Sequence, residues 1–499
     1  MNTFETKLST LKESNKLELK KASNTFPNEA LLTYSAFANT DGGIIIFGIE
    51  ETKEGLKVTG VENPEKVKKE MFDCLNNRER VSKNLITDDM VKEEILGDKT
   101  IILVEVPRAN FREKPIYLKN NLHNSYKRNF EGDYKCTEEE VKSMVRDSSS
   151  DSLDSTIAEN YTIEDLDFAT IKSYRTRFSN LKPEHPFNTM ENIDFLLKVR
   201  ALTKDRKTGL LSPTLGGLLV FGKNETIKEQ FPHYHLDYFD KSVVTEERWS
   251  ERIVYDGTWE PNLYNFFFLV INRLHNSLPN KFEMKSNSIE REDYSELYIA
   301  LREIFINSLI HADFKLEGDI KITRYPNYYQ FENPGLLRIS KEEFFLGHFS
   351  NPRNHIVQEL FRLLNLCERA GTGIPKILST VKKESYKYPD IEEKGNRFIF
   401  KFWNTSEIEN ADNLNNEEKE VLKFILKNKS INNGIARETF SLTKHTANNI
   451  FNSLIEKDYI EKVGAGKNTH YVLKYSDDRK KIKMIEDLHD LINEIKKTI

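Results

Sequence analysis

The sequence predicts a multidomain α+β protein, and three observations carry that prediction. Its 499 residues exceed what one ordinary hydrophobic core organises, at roughly 100–200 residues per domain. Two polar stretches, SSSDSLDS from Ser148 and TSEIENADNLNN from Thr405, interrupt otherwise mixed apolar patterning and read as linkers. Helical and alternating periodicities follow one another on both sides of these breaks. The expected organisation is a first unit over 1–147, a linker over 148–160, and a connecting region of helices and strands over 161–289. A further α/β unit follows over 290–405, then a linker over 406–416, a compact module over 417–475 and an amphipathic helix over 476–499.

Composition limits the function classes. Hydrophobic residues make up 38% of the chain, with 31 Phe and 20 Tyr, which supports real cores and excludes global disorder. A net charge of -5 means that any nucleic-acid surface must be local. Cys74, Cys136 and Cys367 stand far apart without a CxxC, which argues against a disulfide framework or a cysteine zinc site and fits a reducing cytosol. The start, MNTFETKLSTLKES, has no apolar signal core, and no run approaches the ~18–20 apolar residues that span a bilayer. The expectation is a cytoplasmic protein without a membrane partner.

In the first unit, Leu17 to Ala22 reads as a short strand and Asn28 to Asn39 as a helix with Ala30, Leu31, Tyr34 and Ala38 on one side. An Asp-Gly-Gly turn then leads into the apolar strand Ile44 to Ile49, with Glu50 and Glu51 at its far end. The stretches ESNKLELK (Glu13 to Lys20) and SAFANTDGG (Ser35 to Gly43), with VPRANFREKPIYL and the Tyr-Lys-Arg run at Tyr126 to Arg128, resemble the Schlafen/AlbA-like domain family over about 8–147. In Schlafen ribonucleases two glutamates five residues apart and a later acid form a metal-binding nuclease centre, a pattern that falls on Glu13, Glu18 and Glu50. The resemblance therefore implies a Mg²⁺ or Mn²⁺ site of hard oxygen ligands that activates water, with an RNA such as tRNA as substrate and defence against phage as context. The alternative is that Glu13 and Glu18 pair with Lys20, Lys21 or Arg128 and orient the strand. Arg108, Arg112, Lys114, Lys119, Lys127 and Arg128, interleaved with Phe111, Tyr117 and Tyr126, supply the cations and stacking platforms that RNA or DNA binding needs; a solvated sheet face is the bland alternative. Lys20 and Lys21 extend that set.

In the connecting region the sequence predicts helices over Phe168 to Phe178 and Ile193 to Val199, then a glycine turn into an apolar strand in SPTLGGLLVFGK. His233 and His235 alternate with aromatics on an expected strand, without a third metal ligand, and read as ordinary sheet residues. From Leu297, LYIALREIFINSLIHADF forms an amphipathic helix with Glu303 and Asn307 on one face. Together with ENPGLL, FSNPRN and ERAGTGI, this helix resembles a divergent branch of the GHKL-type ATP-binding fold over about 290–403. The resemblance implies an α/β sandwich that takes ATP, with Asn307 a Mg²⁺ ligand, Glu303 polarising water, and glycine turns at Asn333-Pro334-Gly335 and Gly371-Thr372-Gly373 admitting the nucleotide. The acidic DxGxG turn of that family is replaced by ENPGLL, which leaves Glu332 or Asn333 to read the base. A structural reading, with Glu303 and Asn307 capping backbone and the glycines ending helices, stands beside it.

The module over 417–475 gives three helices, then two strands around a glycine turn, the order of a winged helix-turn-helix. Its third helix, from Thr443 to Asp458, would present Thr443, Lys444, His445, Asn448 and Asn449 to nucleic acid, with Lys467 and Asn468 on the wing. The last segment carries Ile482, Ile485, Leu488, Leu491, Ile492 and Ile495 at helical spacing, fit to pack on its own domain or to pair copies into a homo-oligomer. No GxxxxGK[ST] phosphate loop occurs, which argues against a translocating motor. Two functions follow: a nucleic-acid effector, including a metal-dependent nuclease gated by nucleotide, or an ATP-responsive, DNA-binding transcriptional regulator without catalysis.

Overall fold

The computed structural model describes residues 16–52, 55–149, 152–243, 248–278, 296–347, 351–367, 373–384, 386–406, 408, 413–464, 466 and 469–474. Glu13, Gly371, Lys467, Asn468 and the expected C-terminal helix over 476–499 lie outside them.

The first unit begins with β1 (Leu17–Lys20), α1 (Ala30–Asn39), β2 (Gly43–Phe47), β3 (Ile49–Thr52), β4 (Gly55–Val58) and α2 (Pro64–Asn76). It continues through β5 (Val91–Leu96), β6 (Lys99–Val106), β7 (Tyr117–Leu118), β8 (Asn121–Asn129), β9 (Gly132–Lys135) and α3 (Glu138–Ser148). A four-stranded sheet in the order β1-β2-β6-β5 has β1 parallel to β2, with Glu18 opposite Ile45. The apolar run expected as one strand to Ile49 is broken at Gly48, whose φ of 95° starts a separate β3-β4 hairpin. Glu50 and Glu51 therefore sit on that hairpin. Thr137 and Glu140 form a capping box that starts α3, the helix that ends this unit.

The second unit runs through α4 (Phe168–Leu181), α5 (Asn192–Lys198), β10 (Leu202–Lys204), β11 (Leu211–Pro213), α6 (Leu215–Phe221), α7 (Asn224–Gln230), β12 (Leu236–Asp240), β13 (Glu251–Ile253) and α8 (Leu263–Asn276). It closes with α9 (Glu296–Ile310), β14 (Ile320–Arg324), β15 (Tyr328–Pro334), α10 (Lys341–Leu346), α11 (His355–Leu363), α12 (Gly373–Glu384), β16 (Asp390–Lys394) and β17 (Arg397–Trp403). Its sheet, β13-β12-β14-β15-β17-β16, corrects the division expected at 289/290. β12 lies parallel to β14 with Leu236 opposite Ile320, and one apolar core extends from Ala158 to Phe402. Parallel pairing across about 80 residues leaves no trace in local periodicity. Packed as it is, the connecting region is half of a domain.

Three further expectations are corrected. The segment SPTLGGLLVFGK forms a helix: Thr214 caps it by accepting from Gly217 N, and the missing Cβ of Gly217 lets α6 press onto the Ala201 carbonyl, which a Cβ would meet at 2.1 Å. A short apolar run does not distinguish a buried strand from a buried helix. His233 and His235 precede β12, and His235 faces Asp237 at 3.6 Å. The expected linker over 148–160 is anchored at Asp154, which is buried and accepts from Ile356 N and Val357 N at the start of α11.

The last unit holds α13 (Asn416–Asn428), α14 (Asn433–Phe440), α15 (Lys444–Glu456), β18 (Ile460–Val463) and β19 (His470–Leu473) around its own core, with Phe451 stacked on Tyr471. Ile431 bridges to Tyr471, adding an edge to the β18-β19 hairpin. Glu418, buried in α13, holds Ser453 of α15 and Lys457 just past its end.

Candidate nucleotide cleft and interdomain face

Between α9 and the sheet lies a cleft of about 1050 Å³, counting the space open to solvent. Glu303 and Asn307 line it from α9, Asn333 and Gly335 from the end of β15, and Gly373 from the start of α12. Glu303, Asn307, Asn333, Gly335 and Gly373 of the expected nucleotide set thus meet in one place. Asn307 Nδ2 lies 3.5 Å from Glu303 Oε1, across one helical turn. A Cβ on Gly373 would sit 2.2 Å from Glu303 Oε1, so the absent side chain keeps that carboxylate in place at the cleft. Of the two candidates to read a base, Asn333 lines the cleft, whereas Glu332 faces Lys321 at 3.6 Å and Arg397 at 3.7 Å. Phe331, Phe344, Phe398 and Phe400 supply apolar wall. An apolar cleft with a few convergent polar groups and a glycine cradle fits a nucleotide base and its phosphates. His311 is neutral there, because burial, then Arg353 and Arg338, push its pKa down to about 3.

The cleft shares a wall with the first unit. Arg338 and Arg353 line it and both grip Asp147 at the end of α3: Arg338 Nε and Nη2 at 3.0 and 2.8 Å, Arg353 Nε and Nη2 at 2.9 and 2.7 Å. Burial alone would raise the Asp147 carboxyl, but the two guanidiniums hold it below the usual carboxylate range. Arg146 adds a 2.7 Å bond to Asp313, and Arg108 donates to the Leu337 carbonyl at 2.8 Å. Sequence reasoning missed this clamp, because Asp147 and Arg353 are 206 residues apart and no local pattern joins them.

The carboxylates proposed for a metal centre are placed otherwise. Glu18 is buried against Arg128 at 2.7 Å and also holds Lys20. Glu50, partly exposed on β3, faces Lys21 at 3.3 Å. Among the described residues no group of three or more His, Cys, Asp or Glu could hold a metal ion. Each described carboxylate of the set meets a cation, and Glu13, the third of the set, lies outside the described residues.

The basic set divides. Arg108 pairs with Asp41, Lys127 with Glu140, and the buried Arg128 with Glu18 and Asp133; all three line a second cavity between the first and second units. Arg112 and Lys119 are exposed, and Lys21 keeps much of its side chain in solvent. In the last unit Lys444, His445, Asn448 and Asn449 lie on the exposed side of α15, with Asn433 donating to Asn448 at 2.7 Å. No described helix is long and apolar enough to cross a membrane.

Residues 13–137 match the family model "Schlafen, AlbA_2". Residues 317–402 match "Putative ATP-dependent DNA helicase recG C-terminal", a span that includes Asn333, Gly335 and Gly373 but begins after Glu303 and Asn307. Residues 142–237 match a domain of unknown function, DUF8451, which starts within α3 and crosses the 148–160 stretch. Among solved structures, the DIP2311 protein from Corynebacterium diphtheriae is 14% identical, with a TM-score of 0.40 over 94% of this chain and 98% of that one. The N-terminal domain of a RecG-related protein from Nitrosomonas europaea is 28% identical over 26% of this chain and 90% of its own, with a TM-score of 0.21. No curated protein matches the chain.

Proposed function

We propose that this chain, which carries a Schlafen AlbA_2 domain and a recG-like ATPase-like region, binds nucleic acid under the control of a nucleotide held in the α9 cleft. The observation that carries this reading is the wall shared by the cleft and the Asp147 clamp. Arg338 and Arg353 each line the cleft and hold the last turn of α3, the helix that follows the AlbA_2 match, so whatever draws on those guanidiniums changes the grip on the first unit. In the cleft, Asn307 would hold Mg²⁺ and Glu303 would orient a water, with Asn333 toward the base; the metal would supply charge neutralisation for the phosphates. The exposed cations Lys21, Arg112 and Lys444 would meet phosphates of RNA or DNA, and Asn448 would reach base edges if the last unit acts as a winged helix.

A nuclease rests on Glu13, Glu18 and Glu50. The ion pairs of Glu18 and Glu50 favour the second reading, an ATP-responsive, DNA-binding regulator without catalysis. The purified full chain incubated with tRNA, single-stranded DNA and double-stranded DNA, with Mg²⁺ or Mn²⁺ and with or without ATP, separates them. Cleavage that is lost in Glu50→Gln establishes the nuclease. Gel shifts without cleavage establish the regulator. An affinity and a cleavage rate that ignore ATP overturn nucleotide control.

A further inference from the structure

The second cavity, about 950 Å³ with its mouth, is walled by the AlbA_2 domain on one side and by Leu316, Leu336, Leu337, Arg338, Arg353, Glu393 and Asn396 on the other. Six basic side chains line it against four carboxylates. Arg128 is answered from behind by Glu18 and Asp133, Arg108 by Asp41, and Lys127 by Glu140, while Arg338 and Arg353 share Asp147. Glu393 accepts from Leu337 N. That leaves Lys114, of α1-side neighbours only hydrogen-bonded to the Asn39 carbonyl, without a carboxylate in ion-pair range among the described residues. Setting Arg128 aside, five cations face four carboxylates, one negative charge short of balance.

We propose that this chamber is a binding site for a phosphate group, held chiefly by Lys114 and bridging the AlbA_2 domain to the ATPase-like region. A cavity of mixed charge with an unanswered ammonium attracts an anion, and a tetrahedral oxyanion accepts from Lys114 and from the Arg108 guanidinium that acts on it. The chamber meets the α9 cleft only along Leu336, Leu337, Arg338 and Arg353, while Lys114 lines the chamber and not the cleft, so the inference holds whether or not that cleft takes a nucleotide. Burial and then Arg108 push Lys114 down to about 7, opposed by the Asp41 and Glu393 carboxylates; the Cys136 thiol, pushed up to about 12 by burial, stays neutral there. Glu140, Asp147, Lys127, Arg128, Arg338 and Arg353 also face the chamber. An anion binds the protonated lysine, so affinity is full about one unit below the Lys114 pKa and falls as pH rises through it.

Sulfate keeps its charge across this range and serves as the probe, titrated calorimetrically into the full chain without nucleotide. The expected result is about a thirtyfold weaker Kd at pH 8.5 than at pH 6, following the protonated fraction of a group of pKa about 7. Lys114→Met weakens binding at least tenfold at pH 6.5, and Lys114→Arg binds with a flat profile. If Lys114→Met does not fold, the wild-type profile and Lys114→Arg decide. Inorganic phosphate and a short oligonucleotide without terminal phosphate then distinguish a free phosphate from a nucleic-acid backbone as the source. Equal Kd in wild type and Lys114→Met, or a flat wild-type profile, overturns the proposal.

Discussion

Asp147→Asn tests the clamp. The substitution keeps shape but removes the charge that answers two guanidiniums, leaving Arg338 and Arg353 facing one neutral acceptor. The side chains are largely buried, at 14% exposure for Asp147, 13% for Arg338 and 7% for Arg353, so solvent does little to screen the loss. Removing one partner of a buried ion pair costs about 3–5 kcal/mol. At ~1.4 kcal/mol per factor of ten, α3 and the first unit undock about two to three and a half orders of magnitude more often. The remaining contacts, Arg146 to Asp313 and Arg108 to Leu337, keep the docked state populated. Amide hydrogen exchange in α3 reads the change directly, with protection lost there and retained in the core of the second unit. The clamp also has a pH signature. Because the folded Asp147 pKa is depressed, its stabilisation is present above the unfolded value of about 3.9 and is lost as pH falls through the lower folded value. Wild type sheds this component in acid and Asp147→Asn does not. Unchanged α3 protection in the variant refutes the clamp.

Gly373→Ala places a Cβ against Glu303 and abolishes the thermal stabilisation by Mg²⁺ and ATP while circular dichroism stays native. Glu18→Ala leaves the buried Arg128 with Asp133 as its remaining carboxylate and costs about 1–3 kcal/mol in urea unfolding, so loss of activity in that variant reports folding as well as chemistry. Lys444→Ala with Asn448→Ala weakens duplex DNA binding about tenfold and lowers the salt slope by about 1, measured by fluorescence anisotropy at several salt concentrations. An unchanged slope would take α15 out of the interface.

The helix that carries Glu303 and Asn307, and the glycine turns opposite it, were legible in the sequence, each for a local reason. Glu303 and Asn307 share a face because four residues make one turn, and the glycines at 335 and 373 mark close backbone approach. What stayed hidden depends on partners distant in sequence. The β12-β14 pairing fused two expected units into one sheet, and Asp154 turned an apparent linker into a capped, buried turn against α11. Composition identified Arg108, Lys127 and Arg128 as cations but not the carboxylates that answer them, which places them in a chamber between domains instead of on an open face. Periodicity in SPTLGGLLVFGK was too short to separate helix from strand, and the cap at Thr214 decided it.

The most direct test of the account is calorimetric titration of ATP with Mg²⁺ into the full chain, repeated after Asn307→Ala, with α3 hydrogen exchange followed in parallel. Nucleotide control requires saturable binding that the substitution removes, and an exchange rate in α3 that changes when nucleotide is bound. Absence of binding at millimolar ATP, or binding that leaves α3 exchange untouched, contradicts nucleotide control of the AlbA_2 domain.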